Sequence, residues 1–167
     1  MGSLLKENRM VDAVTVIKEK RIMVVEDDLS INRLISYNLS KNGYRPESVY
    51  DGFQAQDRLA KEVFDIVVLD IMLPGVDGFH ICQSIKENPA AFKTFVVMLT
   101  AKAESQDKIY GNLVGADYYI TKPFSVAKLM EVIKELITIR DKDYFVQNSG
   151  EIGKTTQEIG EKGCALA

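Results

Sequence analysis

Strand-like and helix-like segments alternate five times along the chain, and this alternation constrains the fold more than any other feature. The strand-like segments are Arg21–Val25, Tyr44–Tyr50, Ile66–Leu69, Phe95–Leu99 and Tyr118–Thr121. Of these, Ile66–Leu69 and Phe95–Leu99 are continuously apolar. The helix-like segments have helical apolar spacing or helix-end signals, namely Leu29–Asn42, Gly52–Glu62, Gly78–Glu87, Ser105–Gly115 and Val126–Arg140. Because parallel strands need long crossover connections, the alternation predicts an α/β fold with a parallel sheet and helices on both faces.

Charge and hydropathy argue against several classes of protein. The 167 residues include 21 basic and 24 acidic side chains, a net charge of −3, and no basic block. This balance argues against nucleic acid as a direct partner, because such binding depends on clustered positive charge. There is no apolar run of membrane-spanning length and no export signal, so we expect a cytoplasmic protein without membrane contact. The two cysteines, Cys82 and Cys164, are too few for a disulfide scaffold.

Composition divides the chain into three parts. We expect residues 1–20 to be an N-terminal extension, formed partly by a cloning remnant at Gly2–Ser3 or by a short helix. Residues 21–140 carry the alternating pattern and are expected to form one domain. Residues 141–167 are rich in Gly, Glu, Lys and Thr and have little periodicity, which predicts a flexible tail or the start of a linker.

Polar side chains follow four of the five predicted strands. Glu26 and Asp27 come after the first strand, Asp70 and Thr100 close the third and fourth, and Lys122 follows the fifth. Because the carboxyl ends of parallel strands meet at one edge of a sheet, where ligands bind in such folds, we expect these side chains to lie close together.

The residue types in this group suggest phosphoryl chemistry. Three ionised carboxylates in one pocket would repel one another, and a hard divalent cation with oxygen ligands such as Mg²⁺ would relieve that repulsion. Asp70 can then act as a nucleophile that forms an aspartyl-phosphate. Lys122 can neutralise charge on the transferring oxygens, and the Thr100 hydroxyl can donate a hydrogen bond to one of them.

Four segments of the chain together resemble the response-regulator receiver domains, the CheY-like family of two-component signalling. They are Val24–Asp28, Val67–Gly78, Val97–Ala101 and Gly115–Phe124. The resemblance covers Arg21 to about Arg140 and is strongest to receivers of the OmpR/PhoB type. It implies a doubly wound, flavodoxin-like and CheY-like fold with five parallel strands in the order 2-1-3-4-5 and five helices. Only 27 residues follow Arg140, so we expect no DNA-binding domain in this chain.

The resemblance also implies a ligand set for a metal. Asp70 would be the phosphoacceptor and, together with Glu26, Asp27 and the backbone carbonyl of Met72, would bind Mg²⁺. No other cofactor is expected. Asp28 is expected to cap the first helix rather than to bind metal.

The remaining site residues would act on the phosphoryl group. The resemblance makes Thr100 and Lys122 catalytic residues beside Asp70, and Thr100 and Tyr119 the switch residues, with Tyr119 turning inward on activation. The Lys122–Pro123 peptide bond is expected to be cis, a form that is tolerated almost only before proline.

These roles lead to one function. The chain is expected to accept a phosphoryl group on Asp70 from the phosphohistidine of a sensor histidine kinase or phosphotransfer protein. Phosphorylation would then remodel the face formed by helix 4, strand 5 and helix 5 and so control a downstream protein. Homodimerisation through that face is expected to be weak, because Tyr118, Lys128, Val132 and Ile139 depart from the charge pattern of the OmpR/PhoB type. We expect Tyr118, Val132 and Ile139 to form an apolar patch instead. The chain is not expected to turn over a small substrate.

Other functions that this kind of fold can support make different demands on the sequence. A phosphatase of the haloacid dehalogenase type needs an acid two positions after the nucleophile, where this chain has Met72. A flavodoxin-like carrier needs a phosphate-binding loop after the first strand, where Glu26–Asp28 would repel the flavin phosphate. A phosphorylation-independent pseudo-receiver, and a receiver fragment of a larger DNA-binding or multidomain regulator, remain open.

Overall fold

Five parallel strands form a single sheet in the part of the chain that the computed structural model describes, residues 19–101 and 114–142. The strands are β1 (Arg21–Val25), β2 (Arg45–Val49), β3 (Ile66–Asp70), β4 (Phe95–Thr100) and β5 (Tyr118–Thr121). Their spatial order is β2-β1-β3-β4-β5, and every neighbouring pair is parallel. The predicted α/β fold and its 2-1-3-4-5 order are therefore confirmed.

Four helices cover the sheet within the described residues. They are α1 (Leu29–Lys41), α2 (Gly52–Leu59), α3 (Gly78–Glu87) and a final helix formed by residues 126–142. The predicted fourth helix, Ser105–Gly115, lies almost entirely outside the described residues. The final helix continues for two residues beyond its predicted end at Arg140, and Lys20 forms an ion pair with Asp141 in its last turn.

Side-chain caps explain where α1 begins and ends. Asp28 precedes the helix, and its Oδ1 accepts hydrogen bonds from the backbone amides of Ser30 at 2.8 Å and Ile31 at 3.0 Å. The helix ends at Asn42 and is followed by Gly43, whose φ of +80° suits glycine and turns the chain toward β2. The prediction that Asp28 caps α1 is confirmed.

Alternate residues of each strand point to opposite faces of the sheet and build two apolar clusters. The first cluster joins Ile22, Val24 and Val68 to α1 and to the final helix through residues such as Leu129. The second joins Met23, Val25, Val67 and Leu69 to α2 and α3 through residues such as Ile81. Both faces of the central strands are buried, which is why those strands are continuously apolar in sequence.

Two predicted elements are longer than the observed ones by more than one residue. The second helix ends at Leu59 rather than at Glu62, because the chain turns at residues 60–61 and brings Phe64 into the core. The second strand covers Arg45–Val49 rather than Tyr44–Tyr50. This strand lies at an edge of the sheet, where the missing amide hydrogen of Pro46 is tolerated.

The predicted apolar patch on the final helix is wrong for Val132. This residue is only 1% exposed and belongs to the first cluster, whereas Ile139 is 42% exposed and Tyr118 is half-buried. Val132 lies three residues after Leu129 and four before Leu136, so it belongs to the buried stripe of the helix.

Within the described ranges, no helix has the length and apolar character needed to cross a bilayer.

Candidate functional site

The carboxyl edge of the sheet brings the predicted polar residues together. Asp70 is the last residue of the central strand β3, and Glu26 follows the neighbouring strand β1. Thr100 ends β4 on the other side of β3, and Lys122 follows β5. Three of these polar side chains are buried, namely those of Glu26, Asp70 and Thr100, so the residues packed around them hold them in place.

Three carboxylates form a compact acidic cluster at this edge. One oxygen each from Glu26, Asp27 and Asp70 can be chosen so that all three lie within 4.8 Å of one another. Glu26 and Asp70 are buried, whereas Asp27 is exposed and opens the cluster to solvent. The cluster can therefore be reached from solvent at Asp27.

Lys122 bridges two of these carboxylates. Its Nζ donates a hydrogen bond of 2.7 Å to Asp70 Oδ2 and lies 2.7 Å from Glu26 Oε2. The second contact is not aligned as a hydrogen bond, and the buried Glu26 Oε2 receives none from the described residues. Burial raises the pKa of Glu26, and the charge of Asp70 adds to this effect while Lys122 opposes it. Burial alone would lower the pKa of Lys122, but Asp70 and Glu26 outweigh it and raise that pKa.

The donor set of the cluster fits a hard divalent cation. All three side chains offer carboxylate oxygens, which are the ligands that Mg²⁺ prefers. The buried Glu26 Oε2 without a hydrogen bond is an acceptor that a cation would satisfy.

The loop after β3 fixes the other oxygen of Asp70. The backbone amide of Met72 donates a hydrogen bond of 3.2 Å to Asp70 Oδ1, so both carboxylate oxygens are oriented. The side chain of Met72 points to solvent and is 71% exposed. The carboxylate is therefore held in one orientation at the open side of the cluster.

The predicted switch residues lie on neighbouring strands. Thr100 is paired in register with Thr121, and its carbonyl accepts a hydrogen bond of 2.6 Å from the Lys122 amide. Tyr119 packs against the second cluster with its hydroxyl enclosed, and burial raises the pKa of that hydroxyl, so it stays protonated. The Lys122–Pro123 peptide bond is cis.

One residue that supports the site was missed from sequence. The side-chain amide of the fully buried Asn32 donates to the carbonyls of Glu26 at 3.1 Å and Val49 at 3.0 Å, which ties the ends of β1 and β2 together. The signal was an asparagine beside Ile31 on the apolar face of α1, where a buried polar residue must find partners.

Two other residues with reactive side chains lie apart from the acidic cluster. His80 is exposed and contacts Asp77, the residue that caps α3, with 2.6 Å between Nδ1 and Oδ2. Cys82 is a buried thiol whose pKa burial raises to about 11. Cys164 lies outside the described residues.

The fold and the acidic edge together define a class of signalling domain. A family model described as the response regulator receiver domain matches residues 22–134. The chain therefore belongs to the response regulator receiver family of two-component signalling, as the four sequence segments indicated.

Solved structures agree with this assignment. The chain is similar to the chemotaxis response regulator CheY4 of Vibrio cholerae, with 27% identity over 71% of this chain and 98% of that one and a TM-score of 0.67. It is also similar to DrrB, a Thermotoga maritima OmpR/PhoB homolog, with 33% identity over 73% of this chain, 54% of that one and a TM-score of 0.67. The BeF3-activated DrrB receiver domain matches at 33% identity over 72% of this chain and 98% of that one, with a TM-score of 0.66.

Proposed function

We propose that this receiver domain is a phosphorylation-dependent switch with Asp70 as the phosphoacceptor. The observation that carries the proposal is the acidic cluster of Glu26, Asp27 and Asp70, held together by Lys122 at 2.7 Å from Asp70 Oδ2. Asp70 accepts a hydrogen bond at each of its carboxylate oxygens, from the Met72 amide and from Lys122. It also lies on the central strand, where its position is fixed from both sides.

The group transfer needs a donor with a labile phosphorus bond. A phosphohistidine on a sensor kinase or phosphotransfer protein provides it: an Asp70 oxygen attacks phosphorus, the nitrogen–phosphorus bond breaks, and the histidine nitrogen leaves with the electron pair. Lys122 neutralises charge on the phosphoryl oxygens, and the Thr100 hydroxyl donates a hydrogen bond to one of them. Later attack by water on phosphorus releases inorganic phosphate and restores the carboxylate. The domain resets itself in this way and does not turn over a metabolite.

Mg²⁺ is the cofactor in this proposal. Glu26, Asp27, Asp70 and the backbone carbonyl of Met72 would hold it, and it would supply charge neutralisation for the incoming phosphoryl group. Asn32 and Lys122 position the carboxylates before the donor arrives. The protein thus contributes orientation and partial burial, which strengthen electrostatic interactions at the reacting oxygen.

The output would arise at β5 and its neighbouring helices. Movement of Thr100 and Lys122 toward the new phosphoryl group would change the packing of Tyr119. The coupling free energy between phosphorylation and this change in packing would be about 1–3 kcal/mol. A groove of about 360 Å³ runs along β5 and is lined by residues that include Tyr118 and Lys128. A downstream protein, or a second copy in a weak homodimer, would read this face. The predicted fourth helix of the face lies outside the described residues.

The decisive experiment is intact mass after incubation with acetyl phosphate and Mg²⁺. Wild type is expected to gain one phosphoryl group, which chelation of the metal prevents. Asp70→Asn is expected to gain none, whereas the matched variant Asp57→Asn, at an exposed position on α2, should react like wild type. If wild type does not react while a control receiver does, the chain is a phosphorylation-independent interaction module and the proposal is wrong.

A second reagent tests the switch itself. Because the DrrB receiver domain is known in a BeF3-activated form, BeF3⁻ is a suitable stable mimic of the phosphoryl group for this chain. The amide signals of β5 residues are expected to shift on its addition, and Thr100→Ala should reduce the shift at Tyr119. Shifts confined to the acidic cluster would contradict the proposed output path.

A further inference from the structure

The start of α2 packs tightly against the loop that follows β3. The backbone amide of Gly52, the first residue of α2, donates a hydrogen bond of 3.0 Å to the carbonyl of Pro74. A methyl group on Gly52 would lie 2.0 Å from the carbonyl oxygen of Val76, so only glycine permits this approach. The loop is thus joined to α2 through backbone atoms on two sides of Gly75.

An aromatic ring completes this contact. A methyl group on Gly75 would lie 2.6 Å from Cδ2 of Phe53, which places the ring directly against the glycine backbone. Gly75 also has a φ of +88°, a conformation that other residues rarely adopt. Phe53 is 66% exposed, so its ring contributes little to the core and has the loop as its packing partner.

The same loop bears on the acidic cluster. Met72 lies two residues before Pro74, and its amide is bonded to Asp70 Oδ1. The loop is closed at its base by a hydrogen bond of 2.9 Å from the Gly78 amide to the Ile71 carbonyl. Leu73 and Val76 also pack against the second apolar cluster, to which α2 contributes Ala55 and Leu59, so the loop and α2 share one packing surface.

We propose that Phe53, with Gly52, is a positioning residue for the metal site: its ring clamps the 72–76 loop and holds the Met72 carbonyl in the direction of the acidic cluster. This inference rests on the proposed Mg²⁺ site and adds to it a residue on another element. Groups that orient metal ligands commonly change metal affinity by about 10–100-fold when removed. In this way a residue of α2 would affect how tightly the site binds Mg²⁺, without touching the phosphoryl group itself.

The test is a Mg²⁺ titration of the ¹⁵N-labelled full chain, followed by amide chemical shifts. Phe53→Ala is expected to weaken Mg²⁺ binding about tenfold, whereas Phe53→Tyr, which keeps the ring, should bind as wild type does. Phe92→Ala is the matched control. Phe92 is 53% exposed and precedes β4, so it lies at the amino end of the strands, whereas the acidic cluster lies at their carboxyl end. It should leave the affinity unchanged.

Two further readouts separate positioning from general stability. The Gly52 amide should exchange with solvent faster in Phe53→Ala than in wild type, while urea unfolding of Phe53→Ala and Phe92→Ala should differ little. If wild type binds Mg²⁺ and Phe53→Ala binds it equally well, the clamp is wrong and the proposed function stands. If wild type shows no Mg²⁺-dependent shifts, the metal site fails and the clamp fails with it.

Discussion

Lys122 contacts two carboxylates rather than Asp70 alone, and this determines the charge balance of the resting site. Its ammonium lies 2.7 Å from an oxygen of Asp70 and 2.7 Å from one of Glu26. Glu26 is nevertheless buried, and its Oε2 accepts no hydrogen bond from the described residues. Burial therefore makes ionisation of Glu26 more costly, and a further positive charge at the site would offset that cost.

This imbalance predicts a pH-dependent effect of Glu26→Gln. Burial raises the pKa of Glu26 above 4.5 in the folded protein. Protonated Glu26 therefore contributes to the stability of the folded state below the unfolded pKa. This contribution is lost as pH rises through the raised pKa of the folded state. Without Mg²⁺, Glu26→Gln should therefore be more stable than wild type at pH 7, by a margin that shrinks toward pH 4. Urea unfolding across this pH range measures the difference.

Added Mg²⁺ should reverse that order, because it binds the folded wild type and stabilises it by mass action. Glu131→Gln, on the exposed face of the final helix, is the control and should show neither effect. A Glu26→Gln protein that is less stable than wild type at pH 7 without metal would show that the Lys122 ion pair outweighs the burial of Glu26.

The site residues were predictable from sequence to the extent that strand ends determine their position. Asp70 ends β3, and Glu26 and Lys122 come directly after β1 and β5, so the parallel sheet alone brings them to one edge. The Lys122–Glu26 contact was not predictable, because it depends on how the turn after β5 directs a long side chain. Asn32 was missed because its role lies in contacts with backbone carbonyls, which leave no motif.

At the scale of elements, the acidic run Glu26–Asp27–Asp28 is divided between two tasks. Glu26 and Asp27 face the cluster, whereas Asp28 accepts two hydrogen bonds from the first turn of α1. Three adjacent carboxylates therefore differ in what they stabilise. Substitution of one residue at a time should separate helix capping from metal binding.

Asp28→Ala is expected to lose about 1 kcal/mol of unfolding free energy, the usual effect of removing a helix cap. Its Mg²⁺ affinity and its phosphoryl acceptance should remain those of wild type. Asp27→Ala should show the opposite pattern, with weaker Mg²⁺ binding and little change in stability, because Asp27 is exposed. Urea unfolding and amide-shift titration of both variants measure this; a loss of Mg²⁺ affinity in Asp28→Ala would assign Asp28 to the metal site instead.

Element types were predictable wherever periodicity was strong, and errors arose where packing overrides local pattern. The bounds of β1, α3 and β5 agree with the predicted ones, since apolar runs and cap residues define them. The second helix ends early because Phe64 has to reach the core. Val132 was misplaced because its face was inferred from resemblance instead of from its spacing to Leu129 and Leu136.

At the scale of the whole molecule, an ion-pair network supports the side of the sheet near the beginning of β1. Glu47 on β2 pairs with Arg21 at 2.7 Å and also with Arg58 of α2, and both arginines contact Glu62. The two guanidinium groups lie over the ring of Phe64, at 4.5 and 5.7 Å from its centre. This network joins three elements without reaching the acidic cluster.

Glu47→Gln is expected to lower the unfolding free energy by about 1–2 kcal/mol, because Glu47 is largely buried and serves two arginines. Phosphoryl acceptance by Asp70 should be unchanged, as measured by intact mass with acetyl phosphate. Glu131→Gln, which removes an exposed pair with Lys128, should change stability by less than about 0.5 kcal/mol. Equal stability of the two variants would show that the network is no stronger than an isolated surface pair.

The strand order has a mechanical consequence. β3, which carries Asp70, is bonded to a strand on each side, whereas β5, which carries Tyr119, is bonded in this sheet to β4 alone. Asp70 therefore stands on a strand that neighbours restrain from both sides, whereas Tyr119 stands on a strand restrained from one side. If the proposed function holds, we expect a displacement that begins at Asp70 to be taken up mainly at this less restrained margin, while the centre of the sheet stays in place.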